Sequence, residues 1–155
     1  MTRLSRRGFG KAVAITAVGL EPYILDGSKG DVWRYFREGP GKGAWGQEKT
    51  GSDPFHRKAV DLAVAGPAED KVARKVYLLL PDGRVLLNGQ EAAGLGPGPN
   101  MMVKPCGISV EGDAVYLLDG SNGKVYKNGK HDAALSTEVL VPCVGFDVKD
   151  GKVKD

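Results

Sequence analysis

A short pattern recurs four times along this chain of 155 residues, and the repetition constrains the fold more than any other feature. Each copy alternates apolar residues with small or polar ones, which is the period-2 pattern of a half-buried strand. The copies lie at residues 13–17, 60–64, 106–110 and 145–148. Their central residues are Ile15, Leu62, Ile108 and Phe146, at intervals of 47, 46 and 38 residues. The spacing predicts repeated β units of about 40 residues each.

A second strand and a glycine-rich turn follow each of the first three copies. Residues 23–33 align with residues 116–126 without a gap, and residues 77–86 form a version that is one residue shorter in its turn. Asp-Gly and Asn-Gly dipeptides at such turns tolerate positive φ angles and are typical of β-hairpins. Candidates for outer strands are weaker, and they lie at residues 44–48, 100–104 and 137–141.

Units of this size, each a small antiparallel meander, are what a β-propeller blade requires. We therefore predict an all-β fold of antiparallel meanders, arranged as a partial or small β-propeller of about three and a half blades. The expected boundaries are a basic arm at 1–10 and a single domain at 11–155. Its repeat units are expected at 11–57, 58–104 and 105–142, with a partial unit at 143–155. Because propellers close with about four to eight blades, an open sheet edge is expected here, and with it an assembly with other chains.

The clearest unit also carries a family resemblance. Residues 105–110, followed by Gly112, residues 115–117, Asp119, Asn122 and Val125, resemble an NHL-type propeller repeat. The Val-Trp-Arg-Tyr sequence at 32–35 is less closely similar to a tectonin-type blade. The resemblance implies propeller architecture, and architecture transfers between such repeats better than function does.

Equivalent positions of the repeats predict the core. The strand centres and the aromatic and β-branched residues of the following strands should be buried between successive sheets. The predicted core residues are Ile15, Leu62, Ile108, Phe146, Tyr23, Tyr77, Tyr116, Val32, Val85 and Val125.

The net charge of +3 is a property of the amino terminus. Four cationic residues and no acidic one occur among the first eleven residues, and the remaining chain is nearly neutral. Nucleic-acid-binding domains carry clustered Lys and Arg on the folded body, so no nucleic-acid partner is expected. The longest apolar run, residues 12–20, is far shorter than the roughly 20 residues of a transmembrane helix, so no transmembrane segment is predicted.

The amino terminus has two incompatible interpretations. Residues 5–11 resemble a twin-arginine export signal, and residues 17–19 are small enough for a cleavage site. Export would place the protein in the periplasm or outside the cell. Cleavage there would remove residues 13–17, which align with the other inner strands. The strand interpretation, with a cytoplasmic protein, is favoured.

Cys106 and Cys143 are the only cysteines, and each follows a proline at the start of consecutive predicted inner strands. Equivalent positions of adjacent units lie close together, so three interpretations stay open. The pair forms a disulfide, contributes two sulfurs to a metal site, or consists of two unpaired buried thiols.

Other residues that could take part in catalysis or ligand binding have simpler interpretations. His56 and His131 are expected at the surface. Residues 26–31 are expected to form a turn and not a calcium loop, because Arg37 occupies the position where a calcium loop needs an acidic residue. Trp45 is the candidate for an exposed, ligand-binding aromatic residue. No catalytic residue, cofactor site or metal site is predicted.

The favoured function is therefore a non-catalytic binding or scaffold protein, acting as an accessory subunit or homo-oligomer through an open sheet edge. The resemblance implies one rival, an exported hydrolase of lactonase type with a metal in its central channel. Its acids would be Asp61, Glu111 and Asp147, which do not recur at one repeat position. A lectin-like module that binds carbohydrate through Trp45 is the other rival.

Overall fold

The structure is a computed structural model that describes residues 12–39, 43–98, 100–136 and 146–154. Within these residues the chain is all-β, with four antiparallel sheets whose strands follow one another in chain order. The coarse fold prediction is therefore confirmed. The basic arm at 1–10 lies outside the described residues.

Each of the first three sheets is a four-stranded meander. The first sheet contains β1 (Ala12–Val18), β2 (Glu21–Asp26), β3 (Asp31–Arg37) and β4 (Trp45–Ser52). The second contains β5 (Asp61–Ala65), β6 (Lys75–Leu79), β7 (Val85–Leu87) and β8 (Gln90–Glu91). The third contains β9 (Pro105–Glu111), β10 (Ala114–Asp119), β11 (Val125–Lys127) and β12 (Lys130–Asp132). The fourth is the hairpin of β13 (Asp147–Lys149) and β14 (Lys152–Lys154).

The described helices are single turns. Pro54–Lys58 and Lys71–Ala73 are 3-10 helices, and α1 spans Ala133–Ser136. Asp53 caps the first by accepting a 2.8 Å hydrogen bond from the Phe55 amide, and Asp70 caps the second by accepting from Val72 at 3.0 Å. None of the described helices has the length and apolar character needed to cross a membrane.

Two aspartates fold the predicted glycine-rich turns in the same way. Asp26 Oδ1 accepts hydrogen bonds from the amide and hydroxyl of Ser28, at 2.8 and 2.6 Å. Asp119 Oδ1 accepts from the amide and hydroxyl of Ser121, at 2.9 and 2.7 Å. Such bonds from an aspartate to the residue two positions later replace backbone pairing in tight turns. The turn interpretation of residues 26–31 is confirmed, since β2 and β3 are joined there.

The outer strands of the second and third sheets differ from their prediction. They are β8 and β12, which follow immediately after Asn-Gly turns in which Asn88 and Asn128 have φ of 50° and 48°. The Oδ1 atoms of these asparagines accept from the amides of Val76 and Val115, and this holds each turn against its own sheet. Residues 100–104 are therefore not a strand, while residues 137–141 lie outside the described residues. In the first sheet, β4 includes most of the predicted 44–48.

The four sheets pack face to face in chain order. The first strands contact one another in sequence, β1 with β5, β5 with β9, and β9 with β13. One apolar core lies between each pair of neighbouring sheets. Leu25 and Leu78 pack in the first core, Leu79 and Leu117 in the second, and Leu118 and Val148 in the third.

Eight of the ten predicted core residues are buried, and the two remaining positions are strand centres. Leu62 and Ile108 are 2% and 3% exposed because each faces the sheet that precedes its own. Phe146 is half-buried against the third core, where a Cβ at Gly107 would lie only 2.7 Å from the Phe146 Cβ. Ile15 is 68% exposed, so its predicted burial is wrong. Among the described residues, no sheet precedes β1 and none packs on the Ile15 side chain.

The amino-terminal strand of the repeat is present in the structure. Residues 12–18 form β1 and pair with β2, as the strand interpretation predicts. The twin-arginine pattern at residues 5–11 lies outside the described residues.

Candidate functional site

The four first strands line an open groove of about 650 Å³, which we call the inner groove. Its walls include Val13 and Ile15 from β1, Asp61 from β5, Ser109 from β9 and Asp147 from β13. Because β1, β5, β9 and β13 lie side by side, the repeat brings equivalent strand positions from all four sheets to this one surface. The inner groove is therefore where the structure places two of the three acids of the hydrolase hypothesis.

Ser109 connects the third sheet to the fourth. Its buried hydroxyl donates to Asp147 Oδ1 at 2.8 Å and accepts from the Val148 amide at 2.9 Å. Both hydrogen-bonding roles of the hydroxyl are therefore used in holding β13 against β9. Neither Ser109 nor this oxygen of Asp147 is arranged as a free nucleophile or base.

Asp61 connects the second sheet to the third. Its Oδ2 accepts a 2.9 Å hydrogen bond from the Ile108 amide on β9. Burial raises the pKa of the Asp61 carboxyl, while the hydrogen bonds from the backbone amides of Ile108 and Leu62 oppose that shift. The carboxyl therefore acts as an acceptor between two strands, in an environment that disfavours its charge.

Glu111, at the far end of β9, also accepts hydrogen bonds from a neighbouring sheet. Its carboxylate accepts from the amides of Asp150 and Gly151, in the turn between β13 and β14. All three acids of the hydrolase hypothesis thus accept hydrogen bonds that join neighbouring sheets.

A divalent metal does not fit these residues. Such ions need several oxygen or nitrogen ligands directed at one point, whereas Asp61, Asp147 and Glu111 direct oxygens at protein donors. Within the described residues, no group of three or more His, Cys, Asp or Glu side chains could hold a metal ion.

The cysteines also bear on the inner groove. Cys106 is half-buried on β9, lines the groove and is disulfide-bonded. Cys143 lies outside the described residues, so the pairing of Cys106 with Cys143 stays a prediction.

The candidate aromatic residue and the histidines lie away from the inner groove. Trp45 is half-buried at the start of β4 and has the Arg37 guanidinium 5.7 Å from its ring, so it is not the exposed loop residue expected. His131 is exposed, as predicted, with Nε2 at 3.2 Å from the Ser136 hydroxyl. The surface prediction for His56 is wrong. His56 is 5% exposed because its helix packs under the β2–β3 turn, where Nδ1 lies 3.1 Å from the Gly30 carbonyl oxygen.

An ion-pair network that joins the first two sheets through two buried arginines, Arg34 and Arg74, was not predicted. Glu21 binds both Arg34 and Arg74, and Arg34 also binds Glu48 at 3.0 Å. Burial alone would raise the pKa of Glu21, but the two arginines lower it overall. The sequence feature that could have predicted this network is Arg34, a charged residue at an inward position of the alternating strand β3.

The side of the first sheet that faces away from the second sheet has an apolar centre, in which Ile15 is 68% exposed whereas Ile24 is buried at 5%. The register places Ile15 beside Ile24 and Ile24 beside Trp33, and it places Ala17 beside Pro22. Toward the outer edge the same face carries polar residues, namely Arg37, Gln47 and Lys49.

Comparisons with protein-family models, curated proteins and solved structures found no match to this chain.

Proposed function

We propose that this chain is a non-catalytic interaction module built from propeller-type blades, and that it functions within an assembly of protein chains. The blade arrangement is supported by the equivalent residues of successive sheets, which face in the same direction. Residues equivalent to Ile15 face the preceding sheet, whereas Tyr23, Tyr77 and Tyr116 face the following one. The order of contact between the first strands also follows the chain, as in successive blades.

The non-catalytic part of the proposal is supported by how the inner groove uses its polar groups. Asp61 and Ser109 bind backbone amides of the neighbouring sheet. Outside the groove, Glu111 does the same at the end of β9. A catalytic acid, base or nucleophile has to be directed at a substrate atom instead. These side chains hold sheets together.

One observation carries the interaction part of the proposal. Ile15 is 68% exposed, although Leu62 and Ile108, its equivalents in the next two sheets, are 2% and 3% exposed. Ile15 is therefore an exposed apolar side chain at a strand position that elsewhere in this chain is covered by another sheet. Exposed apolar patches with polar rims are typical of protein interaction sites.

The test is the mass of the chain in solution, measured by light scattering from micromolar to millimolar concentration. We expect the native chain to exceed the monomer mass as concentration rises, and Ile15→Ser to return it toward the monomer. Val103→Ser is the matched control, because Val103 is 78% exposed but lies on the connection before β9. A native chain that remains monomeric throughout this range would contradict the proposal.

A further inference from the structure

The connections at one end of the stacked sheets form a surface that we call the basic end. Successive strands of a meander run in opposite directions, so every second connection returns to the same end of its sheet. These connections join β2 to β3, β4 to β5, β6 to β7, β8 to β9 and β10 to β11. Their described residues are 27–30, 53–60, 80–84, 92–98, 100–104 and 120–124.

Each connection of the basic end contacts the next one along the chain. Two of the contacts are backbone hydrogen bonds of 3.2 and 2.8 Å, one is a cation–π contact of 5.3 Å, and one is close packing of a methionine on a glycine. The contacting pairs in chain order are Gly30 with Asp53, Phe55 with Arg84, Gly83 with Met102, and Lys104 with Gly120. The basic end is therefore one surface that extends across the first three sheets.

Cations outnumber acids on the basic end. Among its described residues six are cationic, and only Asp53 and Asp82 are acidic. Arg84 pairs with Asp82 at 2.6 Å and with Glu91 at 3.5 Å. Asp26 and Asp119, at the strand ends beneath two of the turns, are fully buried. The other five cations are exposed and form no salt bridge with a described residue, and they are Lys29, Arg57, Lys58, Lys104 and Lys124.

The connections at the opposite end of the sheets have the opposite charge. The cations described there are Lys71 and Arg74, which pair with Glu48 and Glu21. The exposed acids described there are Glu38, Glu69, Asp70, Asp113 and Asp150. The charge of these connections is therefore polarised along the strand direction, and the basic end attracts anionic partners.

Exposed apolar side chains lie among the unpaired cations of the basic end. Met101 is 59% exposed and Val103 is 78% exposed, and both lie just before Lys104. Phe55 is 36% exposed, with the Lys58 ammonium 5.6 Å from the centre of its ring. Anionic bilayers bind such surfaces, because their headgroups attract cations and the boundary of their acyl region takes up apolar side chains.

A nucleic acid matches the basic end less well. Phosphates are bound by cations and hydrogen-bonding side chains, and bases are read by helices or β-ribbons that enter a groove. Met101 and Val103 lie on an irregular connection and have no donor or acceptor to offer a phosphate. We infer that the basic end docks on an anionic lipid surface, with its unpaired cations at the headgroups and Met101 and Val103 at the boundary of the acyl region.

Co-sedimentation with vesicles at low salt tests the charge requirement. The native chain should bind equimolar phosphatidylserine–phosphatidylcholine vesicles, should be released by added salt, and should not bind vesicles of phosphatidylcholine alone. The double variant Lys104→Glu/Lys124→Glu should bind about tenfold less or weaker still. Lys149→Glu/Lys152→Glu is the control of equal net charge, because these exposed lysines lie on the fourth sheet, and it should retain binding.

All these variants keep the basic residues of the amino terminus, so a difference between them is due to the folded body. Circular dichroism confirms that each variant is folded, and the salt dependence of the native chain is a measurement that needs no variant. A native chain that does not bind the anionic vesicles, or an equal loss in both double variants, would overturn the inference.

A second pair of variants tests the apolar contribution without changing the charge. Met101→Ser/Val103→Ser should weaken binding to the anionic vesicles by about fivefold or more, because less apolar surface leaves water. Leu20→Ser/Val72→Ser is the matched control, since Leu20 and Val72 are 90% and 87% exposed on connections of the opposite end. An equal effect in both pairs would contradict docking through the basic end. A native chain that binds duplex DNA but not the vesicles would show a nucleic-acid surface instead.

Discussion

Ser109 on β9 and Asp147 on β13 are joined by a hydrogen bond of 2.8 Å, from the serine hydroxyl to the carboxylate Oδ1. The same hydroxyl accepts from the Val148 amide, so one small side chain satisfies a backbone donor and a carboxylate of the next sheet. A buried donor that loses its partner costs more than the hydrogen bond itself contributes.

We predict that Ser109→Ala lowers the free energy of unfolding by about 1–3 kcal/mol, because the buried Val148 amide loses its acceptor. Urea denaturation measures the change. Thr16→Ala is the control, since Thr16 occupies the equivalent position of β1 and is only half-buried. An equal loss in both variants would show that Ser109 does not act through its contacts with β13.

Two isoleucines at equivalent positions should respond very differently to truncation. Ile108→Ala is expected to cost about 2–5 kcal/mol, the usual range for a buried aliphatic side chain. Ile15→Ala should change stability by less than about 0.5 kcal/mol in the monomer, as exposed substitutions do. Both values come from thermal or urea unfolding at low protein concentration. A large loss at Ile15 under these conditions would mean that the monomer buries this side chain.

Asp119 should make stability depend on acid pH. Burial alone would raise the pKa of its carboxyl, but hydrogen bonds from Ser121, Val103 and Lys104 lower it overall. A lowered pKa in the folded state contributes stability above the unfolded value of about 3.9, and this contribution is lost as the pH falls through the folded pKa. The stability advantage of the native chain over Asp119→Asn should therefore shrink below about pH 4. A stability advantage that stays constant as the pH falls would contradict this role of Asp119.

Asp61 should show the opposite dependence. Its pKa is raised by burial, so the protonated carboxyl is favoured in the folded state. Its contribution to stability is present below the unfolded pKa and is lost as the pH rises through the folded one. The stability of the native chain relative to Asp61→Asn should fall as the pH rises above the unfolded pKa of about 3.9. Paired urea titrations at increasing pH measure it, and a relative stability that rises with pH would contradict the assigned burial.

The disulfide prediction concerns Cys106 and Cys143. The unreduced chain should be two hydrogen atoms lighter than the reduced one by intact mass, and a tryptic digest should link the two cysteine peptides. Reduction should lower the free energy of unfolding by about 2–4 kcal/mol, because the cross-link restricts the unfolded chain. Two alkylatable thiols in the native chain before reduction would contradict the pairing.

Much of the fold was predictable from local patterns. The alternation around Leu62 and Ile108 predicted buried strands, and the turn at Asp119 followed from its Asp-Gly-Ser sequence, because both depend on residues close in the chain. The short strand β8 was missed because two residues carry no periodicity, and only the turn at Asn88 reveals it. The burial of His56 was missed because it depends on the Gly30 carbonyl, 26 positions away.

The sequence alone determined the unit: a meander with an apolar strand centre, a Tyr-containing second strand and a glycine-rich turn, repeated along the chain. The tertiary structure decided what each copy of that unit does. Ile15 and Ile108 both lie at the centre of the same alternating strand pattern, yet Ile15 is 68% exposed and Ile108 is 3% exposed. The burial of a side chain depends on what packs against its face of the sheet. The residues of a strand do not by themselves indicate whether another sheet packs on that face. For the same reason, only the structure showed that Asp61, Ser109 and Glu111 bind the adjacent sheet.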